Sequence, residues 1–313
     1  MRKQLSLTIL SLVIFLLSLS LFVWMKFFYP QAVRIVHEVA LLPLTDLPIA
    51  KRGSSLADEL NLTARSALAL DLQTMTVLYA SKERQSLAPA STVKMMTALV
   101  AMELYPLDQP IVANLQEPVL GTKLPLLNGQ SFRAADLISA MMIASSNDAA
   151  YVLAKESPLG LEAFINRMNE RASELGLRQT YFVNSAGLDG DSQLSSAFDL
   201  SLIARELLLS PFLKDLVAKS SMQITDTTGM VQHQLYNTNQ LMGYVQGVKG
   251  VKTGTTERAG EVLVTLIERD GHQILLTLMG SQDRYADTMK LLNWVLNNYE
   301  WQNIDGFAAA NLL

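Results

Sequence analysis

The sequence predicts a mixed α/β body of the α+β kind, a mostly antiparallel sheet flanked by helices with a helical subdomain inserted. Two observations carry that reading: hairpin patterns at both ends of the body, and helix-period patterns between them. Residues 261–281 hold two apolar, β-rich runs on either side of Asp270-Gly271, a pair that a tight type I′ turn selects because its central residues need φ > 0. Residues 66–80 alternate apolar and polar around Gln73-Thr74, as a half-buried hairpin does. Between them, residues 91–103, 134–154, 161–175 and 197–209 place apolar side chains at i, i+3 and i+4, the period of an amphipathic helix. A last such segment, 285–299, stacks Met289, Leu292, Val295 and Leu296 on one face. Strands at both ends with helices between imply a sheet whose outer strands come from opposite ends of the chain.

Upstream of that body the chain changes character. Leu5 to Trp24 is twenty residues without a charge, about what ~30 Å of hydrocarbon asks of a helix. Arg2 and Lys3 precede it, which puts the N-terminus in the cytoplasm and the rest of the chain outside. Residues 1–28 read as a membrane anchor or a signal segment, and the lack of a small-x-small cleavage site after the apolar run favours the uncleaved anchor. Residues 29–62, with Pro30, Pro43 and Pro48, read as a linker, 63–300 as a catalytic domain and 301–313 as a tail.

Composition narrows the chemistry. With 313 residues, half of them hydrophobic and 17% charged, the chain can bury a large core and is not a disordered one. A net charge of -4 gives no general attraction to nucleic acid. Cysteine is absent, which excludes thiol catalysis and cysteine-held metals, and His37, His233 and His272 lie too far apart in sequence for a local zinc motif. The sequence therefore offers no cysteine- or histidine-built metal motif.

Three short motifs remain. Ser91-x-x-Lys94 opens a helix, which places an amine one turn from a hydroxyl on the same face; a serine needs a base, and a lysine serves when burial or a nearby cation neutralises it. Ser145-Ser146-Asn147-Asp148 follows the apolar run LISAMMIA, and a hydroxyl and an amide two residues apart can enter one cleft, although these residues are also ordinary helix caps and turn formers. Lys252-Thr253-Gly254 precedes the C-terminal hairpin, where a lysine can attract a carboxylate and a glycine allows close backbone approach; a lysine guarding a sheet edge is the plainer reading. Each motif alone is weak.

Together and in this order, Ser-x-x-Lys, Ser-x-Asn and Lys-Thr-Gly are the signature of penicillin-binding proteins and serine β-lactamases. The stretches LAPASTVKMMTALVAMEL, DLISAMMIASSNDAAYVLA, FINRMNERASELGL, TYFVNSAGLDG, LSSAFDLSLIARELL, NTNQLM and GVKGVKTGTTERAG resemble the low-molecular-mass serine D-Ala-D-Ala carboxypeptidases. That resemblance implies the transpeptidase fold of those proteins, with Ser91 as the acylated nucleophile, Lys94 as its base and Ser145 as a proton relay to the leaving D-alanine. It implies substrate binding by Asn147, Lys252, Thr253, Gly254, Thr255 and Arg284, with the N–H groups of Ser91 and Thr255 as oxyanion hole. The implied partners are a peptidoglycan stem peptide ending in D-Ala-D-Ala, β-lactams as covalent inhibitors, and the bacterial membrane, with the catalytic domain on its outer face.

The chain departs from the family pattern at Ser146, where glycine is usual, at Thr255, where a histidine or aromatic is common, at Glu261, where an aromatic is frequent, and in VNSAGLD, which lacks the usual pair before its glycine. The span after Lys252 also leaves no room for the second β-rich domain of many relatives. A D,D-endopeptidase would use the same residues, and a non-catalytic penicillin-binding sensor would keep the groove. A class A β-lactamase would need a Glu-x-x-x-Asn loop, and Glu156, Glu162, Glu170 and Glu174 lack its asparagine.

Overall fold

The computed structural model describes residues 46–53, 60–115 and 119–302. The expected membrane anchor lies outside them, and among the described residues no helix is long and apolar enough to cross a membrane.

A five-stranded antiparallel sheet forms the centre. A short strand, β1 (Leu47–Ala50), precedes it, and its first two members are β2 (Ser66–Asp71) and β3 (Thr76–Ser81). A helical body follows: a 3-10 turn at Ala90–Val93, then α1 (Lys94–Leu104), α2 (Ala134–Ile143), α3 (Asn147–Lys155), α4 (Leu161–Glu174), α5 (Ala197–Leu209) and α6 (Pro211–Val217). Two small hairpins decorate it, β4 (Pro110–Val112) with β5 (Ser131–Arg133), and β6 (Ser221–Thr225) with β7 (Gln232–Tyr236). The chain then returns to the sheet as β8 (Val248–Thr256), β9 (Gly260–Arg269) and β10 (His272–Ser281), and ends in α7 (Arg284–Asn298) and β11 (Tyr299–Gln302).

The strand order is β3-β2-β10-β9-β8, so the outer strands do come from opposite ends of the chain, and β8 is a sheet edge. Asp270 and Gly271 both adopt positive φ, as the type I′ hairpin requires. The half burial expected of residues 66–71 is exceeded, because β2 is central and covered on both faces. Leu68 and Leu70 join the core formed with the helical body, while Ala67 and Ala69 face Leu291, Leu292 and Val295 of α7.

Two expectations change. The helix read over 134–154 is broken: Ala144 leaves helical geometry, Ser145 takes φ +60, and Ser146 is extended. Serine, asparagine and aspartate side chains compete for backbone partners and favour such caps over helix interiors. The domain boundaries also move, because β1 lies within the span read as linker and pairs with β11, which crosses into the span read as tail. Leu47 faces Gln302 and Ala50 faces Tyr299 in that ladder. Just inside it, buried Asp71 accepts hydrogen bonds from Thr74 and from the Trp301 indole at 2.8 Å.

Candidate active site

The site lies where the edge strand β8 meets the turn that opens α1. Ala90 holds φ +49 and Thr92 Oγ1 donates to Pro89 O at 2.6 Å, a tight turn that leaves Ser91 half-buried at the helix start. Gly254 makes the approach of β8 possible, since a Cβ there would lie 2.8 Å from Ser91 N and 2.8 Å from Ala90 Cβ. Gly187 does the same from the other side, where a Cβ would sit 2.0 Å from Ala90 O.

Lys94 is fully buried one turn beyond Ser91. Its Nζ lies 2.8 Å from Ser91 Oγ, 2.6 Å from Asn147 Oδ1 and 2.5 Å from Ala186 O. Burial, and next the positive charge of Lys252, hold the amine well below its usual pKa, while Asp148 pulls weakly the other way. A neutral amine has two N–H donors and one lone pair. The carboxamide and the carbonyl take the donors, and the lone pair is left for the Ser91 hydroxyl proton.

That arrangement is built from two loops. In the first, Asn184 Oδ1 accepts from the N–H groups of Ala186, Gly187 and Leu188, which folds the VNSAGLD segment so that its Ala186 carbonyl meets Lys94. Sequence reasoning gave Ala186 no role, because a backbone carbonyl leaves no trace in residue type. In the second, the buried Asp148 carboxylate accepts from Leu124 N and Leu126 N, and the same loop returns Leu120 O to Asn147 Nδ2 and Thr122 O to Asn147 N, both at 2.7 Å. Asn147, expected to hold substrate, holds the base, with one N–H of its carboxamide uncommitted.

Across the cleft Lys252 is also buried, but among the described residues its Nζ makes a single long bond, 3.2 Å to Thr253 O. Burial, and then Arg284 beside it, lower its pKa to about 7. Thr253 Oγ1 is 2.6 Å from Thr238 Oγ1. Arg284 begins α7, and its Nη1 donates to Gly254 O at 2.9 Å and to Thr255 Oγ1 at 2.8 Å. Ser91, Thr122, Ser145, Thr238, Thr253, Gly254, Thr255 and Arg284 line one cavity of about 180 Å³. Of the residues singled out by sequence, Ser91, Ser145, Thr253, Gly254, Thr255 and Arg284 line this cavity, while Lys94, Asn147 and Lys252 lie buried behind its walls, and the structure adds Thr122 and Thr238. Thr238 lies in NTNQLM, a stretch carried by the resemblance but given no role; Thr122 had no signal at all. Ser145 Oγ has no hydrogen-bond partner among the described residues and faces this cavity with Ser91.

Residues 53–283 match the peptidase S11 family, described as D-alanyl-D-alanine carboxypeptidase. The chain belongs to that family. The chain is 30% identical over 271 residues to the D-alanyl-D-alanine carboxypeptidase DacF of Bacillus subtilis, covering 84% of this chain and 69% of the relative. It is 31% identical over 260 residues to a D-alanyl-D-alanine endopeptidase of Pseudomonas aeruginosa, covering 79% and 81%. Among solved structures, the ampicillin-bound penicillin-binding protein D2 of Listeria monocytogenes aligns with TM-score 0.68 at 28% identity over 76% of this chain and all of that one. The Streptomyces K15 DD-transpeptidase aligns with TM-score 0.71 at 26% identity, over 77% and 99%. The fold is that of the penicillin-binding D,D-peptidases, and the S11 protein is a serine-type D-Ala-D-Ala carboxypeptidase by family.

Proposed function

We propose that this S11 peptidase removes the terminal D-alanine of peptidoglycan stem peptides through an acyl-enzyme on Ser91. The observation that supports this reading most is the buried Lys94 amine, its pKa lowered by burial, with Nζ 2.8 Å from Ser91 Oγ and two further contacts to Asn147 Oδ1 and Ala186 O. Lys94 takes the Ser91 proton as the oxygen attacks the carbonyl of the penultimate D-alanine. The developing oxyanion is met by the N–H groups of Ser91 and Thr255. The proton then passes through the Ser145 hydroxyl to the leaving amine, and water repeats the sequence on the ester to release the shortened peptide. The terminal carboxylate is held by Lys252, Thr253 and Arg284 at the β8 edge. β-Lactams, whose amide and carboxylate imitate this peptide end, acylate the same serine. The apolar segment Leu5–Trp24 would tether the enzyme to the membrane with its domain on the outer face.

The full chain in detergent, incubated with a penicillin and separately with a pentapeptide ending in D-Ala-D-Ala, tests this by mass spectrometry. A penicilloyl mass on Ser91, lost in Ser91→Ala, with release of one D-alanine is expected. The endopeptidase relative favours a second reading, cleavage of cross-linked dimeric stem peptides. An adduct with dimer cleavage but no D-alanine release would establish that reading, and no adduct would overturn both.

A further inference from the structure

Glu261 sits at the end of the sheet beside the catalytic cavity, and its surroundings give it a task. It pairs across the β8–β9 ladder with Thr255, and a bulge between Leu278 and Ser281 sets it opposite Ser281, where the sheet ends and α7 begins. There Glu261 Oε2 accepts the backbone N–H of Arg284 at 2.8 Å and lies 3.9 Å from the Arg284 Nε. The carboxylate thus touches one residue twice, at its main chain and at its guanidinium. The Nε is buried and has no hydrogen-bond partner among the described residues, and the Glu261 oxygen is the negative charge it faces there. Both Nη1 donors are committed, to Gly254 O and Thr255 Oγ1. That leaves the two Nη2 donors, which have no partner among the described residues, on a guanidinium that lines the catalytic cavity.

We infer that Glu261 is a positioning residue that sets the orientation of Arg284, so that the free edge of its guanidinium meets the substrate's terminal carboxylate. An aromatic at this position would pack on the arginine but could not fix its Nε edge by charge. The arginine side chain has several rotatable bonds and loses much rotamer freedom on ordering. A fixed counter-charge supplies that order before substrate arrives, which lowers the cost of binding. The inference rests on the carboxypeptidase reading of the site.

The test uses the full-length enzyme, a peptide ending in D-Ala-D-Ala as the free acid, and the same peptide as its C-terminal methyl ester, which lacks the anionic end. Glu261→Ala is expected to raise KM for the acid about tenfold with kcat changed little, the size of one lost charge-assisted contact. The ester should be turned over as by wild type. Glu261→Gln, which keeps an oxygen for the Arg284 N–H but not the charge, should fall between. In an Arg284→Ala background Glu261→Ala should change nothing further. Equal loss on acid and ester, or additive effects in the double variant, would overturn the inference and leave Glu261 a strand-end brace. Melting temperatures taken on each variant separate unfolding from mispositioning, because partial unfolding lowers kcat on both substrates. A wild-type enzyme that adducts penicillin but releases no D-alanine would overturn the carboxypeptidase reading and this inference with it. Wild-type turnover with an unaffected Glu261→Ala overturns the inference alone.

Discussion

The two walls of the cleft each carry a buried lysine, and they treat it in opposite ways. On the helical wall Lys94 has three partners within 2.8 Å, supplied by three separate segments of chain. On the sheet wall Lys252 has, among the described residues, one bond at 3.2 Å and a second cation, Arg284, for company. The first amine is completed by the protein and so needs no rearrangement at the moment of proton transfer, which is the economy of a preorganised site. The second is left incomplete, and a carboxylate in the cavity would complete it. The difference separates a group that does chemistry from one that recognises charge.

The comparison can be broken most directly at Lys94. Lys94→Ala should slow acylation by β-lactam about 10²–10⁴-fold in a chain that still folds, the range expected for losing a general base; near-normal acylation in stopped-flow labelling would give the base role to another group. On the other wall, Lys252→Ala should act mainly on KM for acid substrates, by about 10–100-fold, as for a lost hydrogen bond to a charged partner.

The walls are also coupled through charge. Neutral Lys94 is the working form, so acylation rises with pH through its pKa. Lys252⁺ lowers that pKa, and removing it makes the protonated form easier to keep. The rising limb of the rate profile should therefore move to higher pH in Lys252→Ala, and a limb that stays put would deny the coupling. For wild type, affinity for an anionic substrate should fall as Lys252 loses its proton near 7.

Stability follows the same group in the opposite sense. A folded amine at about 7 against an ordinary 10.5 means that the unfolded chain holds the extra proton between those values, so the contribution of Lys252 to stability rises with pH across that window. Lys252→Met should melt higher than wild type, with the full gain below about 7 and none left near 10.5. A gain independent of pH would assign the effect to packing.

The smallest expected effect concerns Ser146. Its Oγ is fully buried with no hydrogen-bond partner among the described residues. Ser146→Ala should therefore stabilise by about 1 kcal/mol, with acylation within threefold of wild type. A large loss of rate would bring that hydroxyl into the proton path beside Ser145.

The helical wall was partly legible in the sequence and the sheet wall more so. Ser91, Lys94, Ser145 and Lys252 carry side-chain chemistry at fixed spacings, which a sequence displays. The break at Ser145 was not legible, because LISAMMIA and NDAAYVLA each keep helix period and only the run of cap-forming residues between them marks the interruption. The carbonyls of Ala186 and Leu120 were invisible for a more general reason: every residue has one, and only the fold aims the first at the Lys94 amine and the second at the Asn147 carboxamide. The β1–β11 ladder was missed because Leu47–Ala50 contains Pro48 and is too short to show a period.

The central sheet also dictates when such an enzyme becomes competent. β2 is zipped to β10 in pairs such as Leu68 with Thr277, with the whole helical body threaded between them. Closing so long a loop is entropically expensive and makes folding slow. The turn that carries Ser91 precedes the helical body, whereas the strand that walls it and the two strands that support that strand follow that body. A nascent chain that has passed Lys94 but not yet reached β8 holds Ser91 and Lys94 with no carboxylate wall opposite them. The topology thus delays hydrolytic competence until the strands on both sides of the helical body have been delivered.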